Sequence, residues 1–125
     1  MGDNVQLIEG AYEAFGRGDI PAVIGILSDD IEWTSPETLP HGGQFRGKDG
    51  VGRFFEGLGA RWSDLSLDVE SVSDAGDGLV VGVMQAQGTL RDGGPSSYGA
   101  AHVFTIRSGK VARFREYTDV GSALG

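Results

Sequence analysis

The spacing of apolar residues changes at Trp62, and this change constrains the fold more than any other feature of the chain. Before Trp62, apolar side chains recur every three or four residues, which is the period of an amphipathic helix. After it, Leu65, Leu67 and Val69 alternate with polar residues, which is the period of a half-buried strand. Because the two patterns are segregated along the chain, the sequence predicts an α+β domain and not a βαβ fold.

The helical pattern near the N-terminus predicts two helices in succession. The first carries an apolar stripe from Val5 to Phe15 and is expected to end at Gly16 or Gly18. Asp19 is expected to cap the second helix, with Pro21 in its first turn, where the missing N–H costs no hydrogen bond.

A short strand and a loop separate these helices from a third. Residues 31–35 are predicted as the strand, and residues 36–45, with two prolines and a Gly-Gly pair, as a mobile loop. The third helix is marked by apolar residues from Val51 to Leu58 and is expected to end near Gly57 or Gly59. Four strands are predicted after it: one that starts at residue 65, then residues 79–90, 98–107 and 111–118, with turns at residues 74–78 and 92–95.

The register of the last hairpin decides which residues share a face of the sheet. We expect a three-residue loop of Arg107, Ser108 and Gly109, with glycine at the left-handed position, and this loop pairs Phe104 with Ala112. The face expected to lie under the helices then carries Ala100, His102, Phe104, Ile106, Ala112, Phe114, Glu116 and Thr118.

Two titratable residues, His102 and Glu116, stand on this otherwise apolar face. In the expected register they are diagonal neighbours on adjacent strands, within reach of each other. A carboxylate desolvated by apolar surroundings is a better base, and an imidazole beside it donates a hydrogen bond to a developing oxyanion or shuttles a proton. The pair therefore indicates acid/base chemistry without a metal or cofactor. An alternative stays open, in which the two residues only satisfy each other inside a core.

Several other residues are expected near this pair. Trp33 and Ser35 alternate on the first strand and so face the same interior, and Tyr12 lies on the apolar stripe of the first helix. Core packing is the more common role of buried aromatic residues. The residues predicted to contact a substrate are Tyr12, Trp33, Ser35, Phe54, Met84 and Phe114.

The charge and composition of the chain argue against several partner classes. A net charge of −8 repels phosphate backbones and anionic lipid, so neither nucleic acid nor a membrane surface is the expected partner. The chain has no cysteine, and its two histidines, His41 and His102, lack metal-ligand spacing, so no metal or other cofactor is expected. The start of the chain does not read as a signal peptide, and no apolar run reaches the roughly 18 residues of a membrane helix, so a cytoplasmic location is expected.

Four segments resemble, in their order and spacing, the SnoaL-like branch of the NTF2-like superfamily. They are Tyr12 to Asp19, Asp29 to Trp33, Phe45 to Val51, and His102 to Asp119, the last containing Gly109-Lys110-Val111 and Glu116-Tyr117-Thr118-Asp119. The resemblance implies that residues 1–125 form a single domain, a cone in which a curved, mixed, mostly antiparallel sheet wraps on three N-terminal helices around an apolar pocket.

The resemblance also implies a homodimer joined through the outer face of the sheet. In the expected register, Ala101, Val103, Val111 and Tyr117 lie on that face. A second copy of the chain and a small apolar molecule are therefore the expected partners.

The superfamily contains enzymes and binding proteins, so individual residues must decide between them. The positions used by the ketosteroid isomerases fall on Ala11, Ser35 and His102, so that chemistry is not expected here. The polyketide cyclases are closer, because they use a histidine and an acid spaced like His102 and Glu116, although a glutamate here replaces their aspartate. The leading hypothesis is a cofactor-independent isomerase or cyclase in which Glu116 removes a proton from a small apolar or polyketide-like molecule and His102 stabilises the enolate oxygen.

Two alternatives accompany this hypothesis. One is a non-catalytic small-molecule-binding domain, in which the His102 and Glu116 pair anchors a bound carbonyl or carboxylate. The other is a dimeric scaffold whose core is filled. The absence of a cavity behind His102 would favour the scaffold.

Overall fold

The computed structural model describes residues 2–118, which form three helices and six strands. The helices are α1 (Gly2–Gly16), α2 (Ile20–Gly25) and α3 (Gly47–Arg61). The strands are β1 (Leu27–Ser35), β2 (Gly43–Arg46), β3 (Trp62–Gly76), β4 (Leu79–Leu90), β5 (Gly94–Arg107) and β6 (Lys110–Tyr117). Asp119, the last residue of the fourth family-like segment, lies outside the described residues.

The six strands form one sheet in the order β2-β1-β6-β5-β4-β3. Every neighbouring pair in this sheet is antiparallel except β1 and β6, which run parallel. The helices pack on one face, where Ile8 of α1 and Val51 of α3 join Ile31, Val80 and Val111 of the sheet in one buried cluster. The predicted class, three helices packed on a mixed and mostly antiparallel sheet, is confirmed.

The helices form largely where the apolar period predicts them. Asp19 caps α2 by accepting a hydrogen bond from the Ala22 N–H at 3.2 Å. The third helix continues past Gly57 and Gly59 to Arg61, because burial of its apolar face outweighs the ~0.5–1 kcal/mol that a mid-helix glycine costs. No helix within residues 2–118 has the length and apolar content needed to cross a membrane.

The segment predicted as a loop before the third helix contains the edge strand β2. It pairs with β1, with Phe45 opposite Trp33 and Gly43 opposite Ser35. Its four residues carry no strand pattern of their own, so the strand exists only because β1 provides a partner. The prediction of a loop over residues 36–45 was wrong for this part of it.

The hairpin between β5 and β6 has a tighter turn than the sequence analysis expects. Arg107 pairs with Lys110, so only Ser108 and Gly109 form the turn. Both have positive φ, 52° and 75°, as a two-residue type I′ turn requires. The predicted three-residue loop was wrong, because Ser108 adopts the left-handed backbone that was expected only at the glycine.

A β-bulge restores the burial pattern that this tighter turn would otherwise break. Ala112 falls where the register shifts by one residue, and it has no cross-strand partner. Beyond the bulge, Phe104 lies opposite Phe114, and His102 lies directly opposite Glu116 rather than diagonal to it. The predicted inner face is therefore kept at these four residues, although the predicted pairing was wrong.

The same bulge moves Val111 from the outer face of the sheet to the inner face. Val111 is fully buried within the main apolar cluster, so its prediction as an outer-face residue was wrong. Ala101, Val103 and Tyr117 alternate along their strands with inward residues and stay on the outer face. Of these three, Ala101 is fully buried within the monomer, whereas Val103 and Tyr117 are partly exposed.

Candidate functional site

A partly enclosed cavity lies between the helices and the inner face of the sheet. It encloses about 80 Å³, and about 570 Å³ when the open space at its mouth is included. The enclosed volume is smaller than the roughly 300–1,000 Å³ typical of sites for drug-sized molecules, so only a small ligand fits within it. Because His102 is in its wall, the core behind this residue is not filled, which argues against the scaffold hypothesis.

The wall of the cavity is mostly aliphatic and aromatic. Its polar members are Tyr12, His41, Tyr98, His102 and Glu116. Within residues 2–118, no lysine or arginine contributes to the wall. The cavity therefore suits an apolar molecule with a few polar groups, and it offers no fixed positive charge to an anion.

Four polar side chains, three of them buried and Tyr12 partly buried, form one hydrogen-bonded chain, which we call the Glu116 cluster: Ser35, Glu116, His102 and Tyr12. The Ser35 hydroxyl donates to Glu116 Oε1 at 2.8 Å, and His102 Nε2 lies 3.1 Å from Glu116 Oε2. The Tyr12 hydroxyl lies 2.8 Å from His102 Nδ1. Residues from α1, β1, β5 and β6 thus meet in one connected network.

The sheet places three members of this cluster side by side. His102 and Glu116 are directly opposed on β5 and β6, so their side chains leave the sheet on the same face. Strand β1 runs parallel to β6, with Trp33 beside Phe114, which brings Ser35 two residues later beside Glu116. The parallel pairing of β1 and β6 therefore places the Ser35 hydroxyl where it donates to the Glu116 carboxylate.

Tyr12 reaches the cluster because the sheet has a glycine beneath its hydroxyl. Gly82 on β4 is the cross-strand partner of His102. A Cβ atom at this position would lie 2.5 Å from the Tyr12 hydroxyl oxygen and 3.2 Å from the ring carbon that bears it. Any larger residue at 82 would therefore displace the tyrosine from His102.

Two opposed pKa shifts set the proton positions in the Glu116 cluster. Burial by itself would raise the pKa of Glu116, but hydrogen bonds from His102 and Ser35, together with the nearby charge of the histidines, hold it below its ordinary value. Burial, and then the negative charge of Glu116, raise the pKa of Tyr12 far above its ordinary value. Glu116 is therefore an anion at neutral pH, and Tyr12 keeps its proton.

These charge states determine the direction of each hydrogen bond. An ionised carboxylate only accepts, so Nε2 of His102 carries a proton and donates it to Glu116. When His102 is neutral, Nδ1 is an acceptor, and the Tyr12 hydroxyl donates to it. The tautomer is assigned from these partners.

A second set of polar residues in and beside the wall consists of His41, Trp62 and Tyr98, which we call the His41 cluster. His41 lies in the segment between β1 and β2, where hydrogen bonds from the Leu39 N–H to the Pro36 carbonyl and from the Gly42 N–H to the Leu39 carbonyl make successive turns. The Trp62 indole N–H donates to His41 Nδ1 at 3.1 Å. The ring of Tyr98 lies 6.5 Å from that of His41 and 6.3 Å from that of Trp62.

The structure brings most of the sequence-predicted site residues to the cavity. Those that line it are Tyr12, Trp33, Phe54, His102, Phe114 and Glu116. Ser35 is not in the wall but touches it through Glu116, and Met84 is fully buried in the sheet, away from the wall. Trp33 stacks on Phe114 at 3.9 Å between centroids, and its indole N–H has no hydrogen-bond partner within the described range.

The His41 cluster was not predicted from the sequence as part of the site. His41 was considered only as a metal ligand, and within residues 2–118 no three histidine, aspartate or glutamate side chains gather where a metal ion would bind. One sequence signal was present, a glycine directly after the histidine. A Cβ at Gly42 would overlap the Pro36 carbonyl oxygen, so the turn that holds His41 in place requires glycine there.

Comparison with solved structures agrees with this architecture. An NTF2-like protein of Burkholderia thailandensis is 31% identical to the chain, with a TM-score of 0.86 over 98% of this chain and 97% of that one. An NTF2-like protein of unknown function from Burkholderia pseudomallei is 25% identical, with a TM-score of 0.86 over 99% and 96%. A candidate polyketide cyclase of Pseudomonas putida is 21% identical, with a TM-score of 0.74 over 94% and 92%, a likeness that shows the fold alone.

Comparison at the level of sequence assigns the family. No functionally curated protein is significantly similar to the chain. The sequence profile of the SnoaL-like domain matches residues 8–114, which is most of the chain. With its cone-like sheet, its three helices and its NTF2-like structural neighbours, the chain belongs to the SnoaL-like domain family.

Proposed function

We propose that this protein is a cofactor-independent acid/base enzyme of the isomerase or cyclase type that acts on a small apolar molecule bearing a carbonyl group. The observation that carries the proposal is the Glu116 cluster, in which an ionised carboxylate and a protonated phenol are joined through one imidazole beside an apolar cavity. Proton removal next to a carbonyl needs both groups, a base for the proton and a donor for the oxygen that becomes negative.

Glu116 is the proton acceptor in this proposal. Each of its oxygens accepts one hydrogen bond, from Ser35 or from His102, and each keeps a further lone pair. Transfer of a carbon-bound proton to Glu116 leaves an enolate, with the negative charge on the carbonyl oxygen. Return of that proton to another carbon completes an isomerisation. In a cyclisation, the enolate carbon instead attacks a second carbonyl carbon of the substrate, and the alkoxide formed as that C=O π bond breaks takes the proton back from Glu116.

Tyr12 takes the part that the sequence analysis gave to His102. Both ring nitrogens of His102 are already engaged, one by Glu116 and one by Tyr12. The Tyr12 hydroxyl has one proton, which it donates to His102 Nδ1 in the free protein. Rotation of this hydroxyl on substrate binding turns the proton to the carbonyl oxygen, and Tyr12 is then the donor to the enolate oxygen. His102 is the positioning residue that holds the base and the donor in one network.

The experiment is hydrogen–deuterium exchange of cyclohexanone in D₂O, followed by proton NMR. Cyclohexanone is a small apolar ketone whose protons next to the carbonyl exchange when a base removes them. We expect the wild type to accelerate the exchange and Glu116→Gln to slow it by about 10²-fold or more, because a general base contributes roughly 10²–10⁴ in rate. A neutral amide cannot take the proton but keeps the size of the side chain, so cyclohexanone should still bind.

Binding is measured separately, by the rise in melting temperature that the ketone gives each variant. Exchange that persists in Glu116→Gln contradicts Glu116 as the base. Binding by the wild type without any exchange supports the second candidate function below.

The second candidate is a small-molecule-binding domain without catalysis. It is favoured by the completeness of the Glu116 cluster, because Glu116 has a partner on each oxygen and His102 on each nitrogen. A buried network whose hydrogen bonds are all satisfied needs no catalytic role: it can anchor a ligand and keep one part of the cavity polar.

We also propose that the chain forms a homodimer through the outer face of the sheet. Val81 lies opposite Val103 on this face, and Val83 follows two residues after Val81, all three half-buried. A neighbouring aliphatic set of this kind is best covered by a second sheet. Analytical ultracentrifugation is expected to give twice the chain mass of 13.1 kDa, and a single-chain mass would contradict the dimer.

A further inference from the structure

The cavity wall contains a second buried histidine that the proposed mechanism does not use. His41 is only 6% exposed and packs edge-on against Phe54, with 5.7 Å between ring centroids. It is held in place by Trp62, which is itself 3% exposed. Both residues are therefore fixed in the core, and His41 is also in contact with the cavity.

The contact with Trp62 fixes where the proton of His41 sits. An indole N–H is a donor and never an acceptor, so Nδ1 of His41 must be unprotonated to receive it. Burial lowers the pKa of His41 below its ordinary value, and the nearby negative charge of Glu116 only partly offsets this effect. At neutral pH His41 is therefore uncharged, with its one proton on Nε2.

That Nε2–H group has no hydrogen-bond partner among residues 2–118. The fully buried and unpartnered side-chain polar atoms of the same residues are Ser28 Oγ and Trp33 Nε1, so His41 Nε2 retains contact with the cavity or solvent. The hydroxyl of neighbouring Tyr98 likewise has no partner in the described part of the chain, and burial raises its pKa well above the ordinary value, so it stays protonated. Two neutral donors thus meet in this part of the wall.

We infer that His41, held as the Nε2–H tautomer by Trp62, donates a hydrogen bond to a second carbonyl oxygen of the ligand, so that the preferred substrate is an uncharged dicarbonyl compound. The inference rests on the proposed function, because it concerns the same cavity. One carbonyl lies at Tyr12, where the enolate forms, and the other at the His41 cluster.

The same arrangement selects against carboxylates. The wall holds the negative charge of Glu116 and, within residues 2–118, no lysine or arginine to balance a second one. A neutral imidazole N–H satisfies a ketone oxygen but does not compensate the desolvation of an anion. Dicarbonyl compounds are therefore expected to bind better than keto acids of similar shape.

Three ring compounds of the same skeleton test this inference: cyclohexanone, cyclohexane-1,4-dione and 4-oxocyclohexanecarboxylate. Dissociation constants are measured by NMR titration of the wild type and of His41→Phe. In the wild type, we expect the dione to bind about five- to tenfold more tightly than cyclohexanone, as one added hydrogen bond allows, and the keto acid to bind more weakly than either. In His41→Phe the dione should bind only about twofold more tightly than cyclohexanone, the ratio that the symmetry of the dione gives.

A second variant, Trp62→Phe, tests whether Trp62 fixes the tautomer of His41, and this test does not depend on ligand binding. Long-range ¹H–¹⁵N NMR spectra report the protonation of each ring nitrogen of His41. The wild type is expected to show Nε2–H alone, and Trp62→Phe a mixture of both tautomers. Protonated Nδ1 in the wild type at neutral pH would overturn the inference.

The two proposals fail in different ways. If wild type binds the dione through His41 but never exchanges the protons of cyclohexanone, the catalytic function is wrong and the inference stands. If exchange depends on Glu116 but His41→Phe keeps the full preference for the dione, the inference is wrong and the catalytic function stands. Failure of the wild type to bind either ketone would overturn both.

Discussion

The two histidines of this protein are both almost fully buried beside one cavity, yet their surroundings suit them to different tasks. His102 lies between a carboxylate and a phenol, at 3.1 and 2.8 Å. His41 accepts one hydrogen bond, from the indole of Trp62, and among residues 2–118 no carboxylate is its hydrogen-bond partner. One histidine therefore belongs to a path along which a proton can move, and the other is a fixed neutral donor.

The difference shows that the chemical role of a buried imidazole depends more on its hydrogen-bond partners than on its burial. Glu116 accepts from His102 on one side, and Tyr12 occupies the other side, so the charge of the cluster can be redistributed without opening it. Trp62 can only donate, so it fixes one tautomer of His41 and leaves the opposite nitrogen for a ligand. The following changes test whether the two clusters differ as described.

The largest effect is expected from Ser35→Ala, which removes the hydroxyl that donates to Glu116. A hydrogen bond to a charged group is worth roughly 1.5–3 kcal/mol, so the free energy of unfolding should fall by about that amount. Ser28→Ala is the matched control on the same strand, because the buried Ser28 hydroxyl has no hydrogen-bond partner in the described part of the chain and its removal should cost about nothing. Urea unfolding measures both, and equal losses would show that Glu116 gains nothing from Ser35.

A smaller effect on stability is expected from Gly82→Ala, although its effect on the site is large. The new methyl group would displace the Tyr12 hydroxyl from His102, at a cost of roughly 0.5–1.5 kcal/mol for the lost hydrogen bond. The ¹⁵N shift of His102 Nδ1 should move toward that of an unpaired acceptor, whereas His41 should not change.

Tyr12→Phe serves as the control for this substitution. In that background there is no hydroxyl to displace, so the Gly82→Ala change should cost less than it does in the wild type. Equal costs in the two backgrounds would mean that the glycine is needed for some reason other than Tyr12.

The smallest effects are expected in the dependence of stability on pH, where the His41 cluster and the Glu116 cluster titrate in different pH ranges. The pKa of His41 is lowered from 6.5 in the folded protein. Below pH 6.5 the unfolded chain therefore binds a proton that the folded protein does not, and the free energy of unfolding decreases as the pH falls toward the folded pKa. The pKa of Glu116 is held below 4.5, so its contribution is intact above pH 4.5 and is lost as the pH falls through the folded pKa.

The curve of unfolding free energy against pH has an upper limb, due to His41, and a lower limb, due to Glu116. One variant tests each limb. His41→Phe should flatten the upper limb. Glu116→Gln should flatten the lower limb and extend the upper limb to lower pH, because the carboxylate no longer raises the pKa of His41. Unfolding free energies across a pH series provide the curves. A loss of both limbs in either variant would show that the clusters titrate as one unit.

Much of the fold could be predicted because its signals are local. Residues 79–90 are predicted as one strand between two turn signals, and β4 has these bounds. Asp19 is followed by Pro21 at the start of an apolar period, and α2 begins where this pattern predicts. The elements that were missed or misread depend on partners: β2 needs β1 beside it, and the bulge at Ala112 needs the burial of its neighbours on β6.

The candidate site divides in the same way. His102 and Glu116 could be named from the sequence, because charged residues on an apolar strand face stand out at a separation of only 14 positions. Their partners could not be assigned, since Tyr12 is 90 positions from His102 and Ser35 is 81 from Glu116. His41 carried no signal except the glycine that follows it, because its place is set by a turn within the segment between β1 and β2 and by the indole of Trp62.

The sequence by itself determined the class of the fold, the family and the pair of titratable residues, because apolar period and residue order are properties of neighbours along the chain. The tertiary structure alone decided which hydroxyl meets which nitrogen, and so which histidine belongs to a proton path and which is a neutral donor. Hydrogen-bond direction depends on distances of about 3 Å between atoms of different elements. Those distances are set by strand register and helix packing, which a local pattern does not specify.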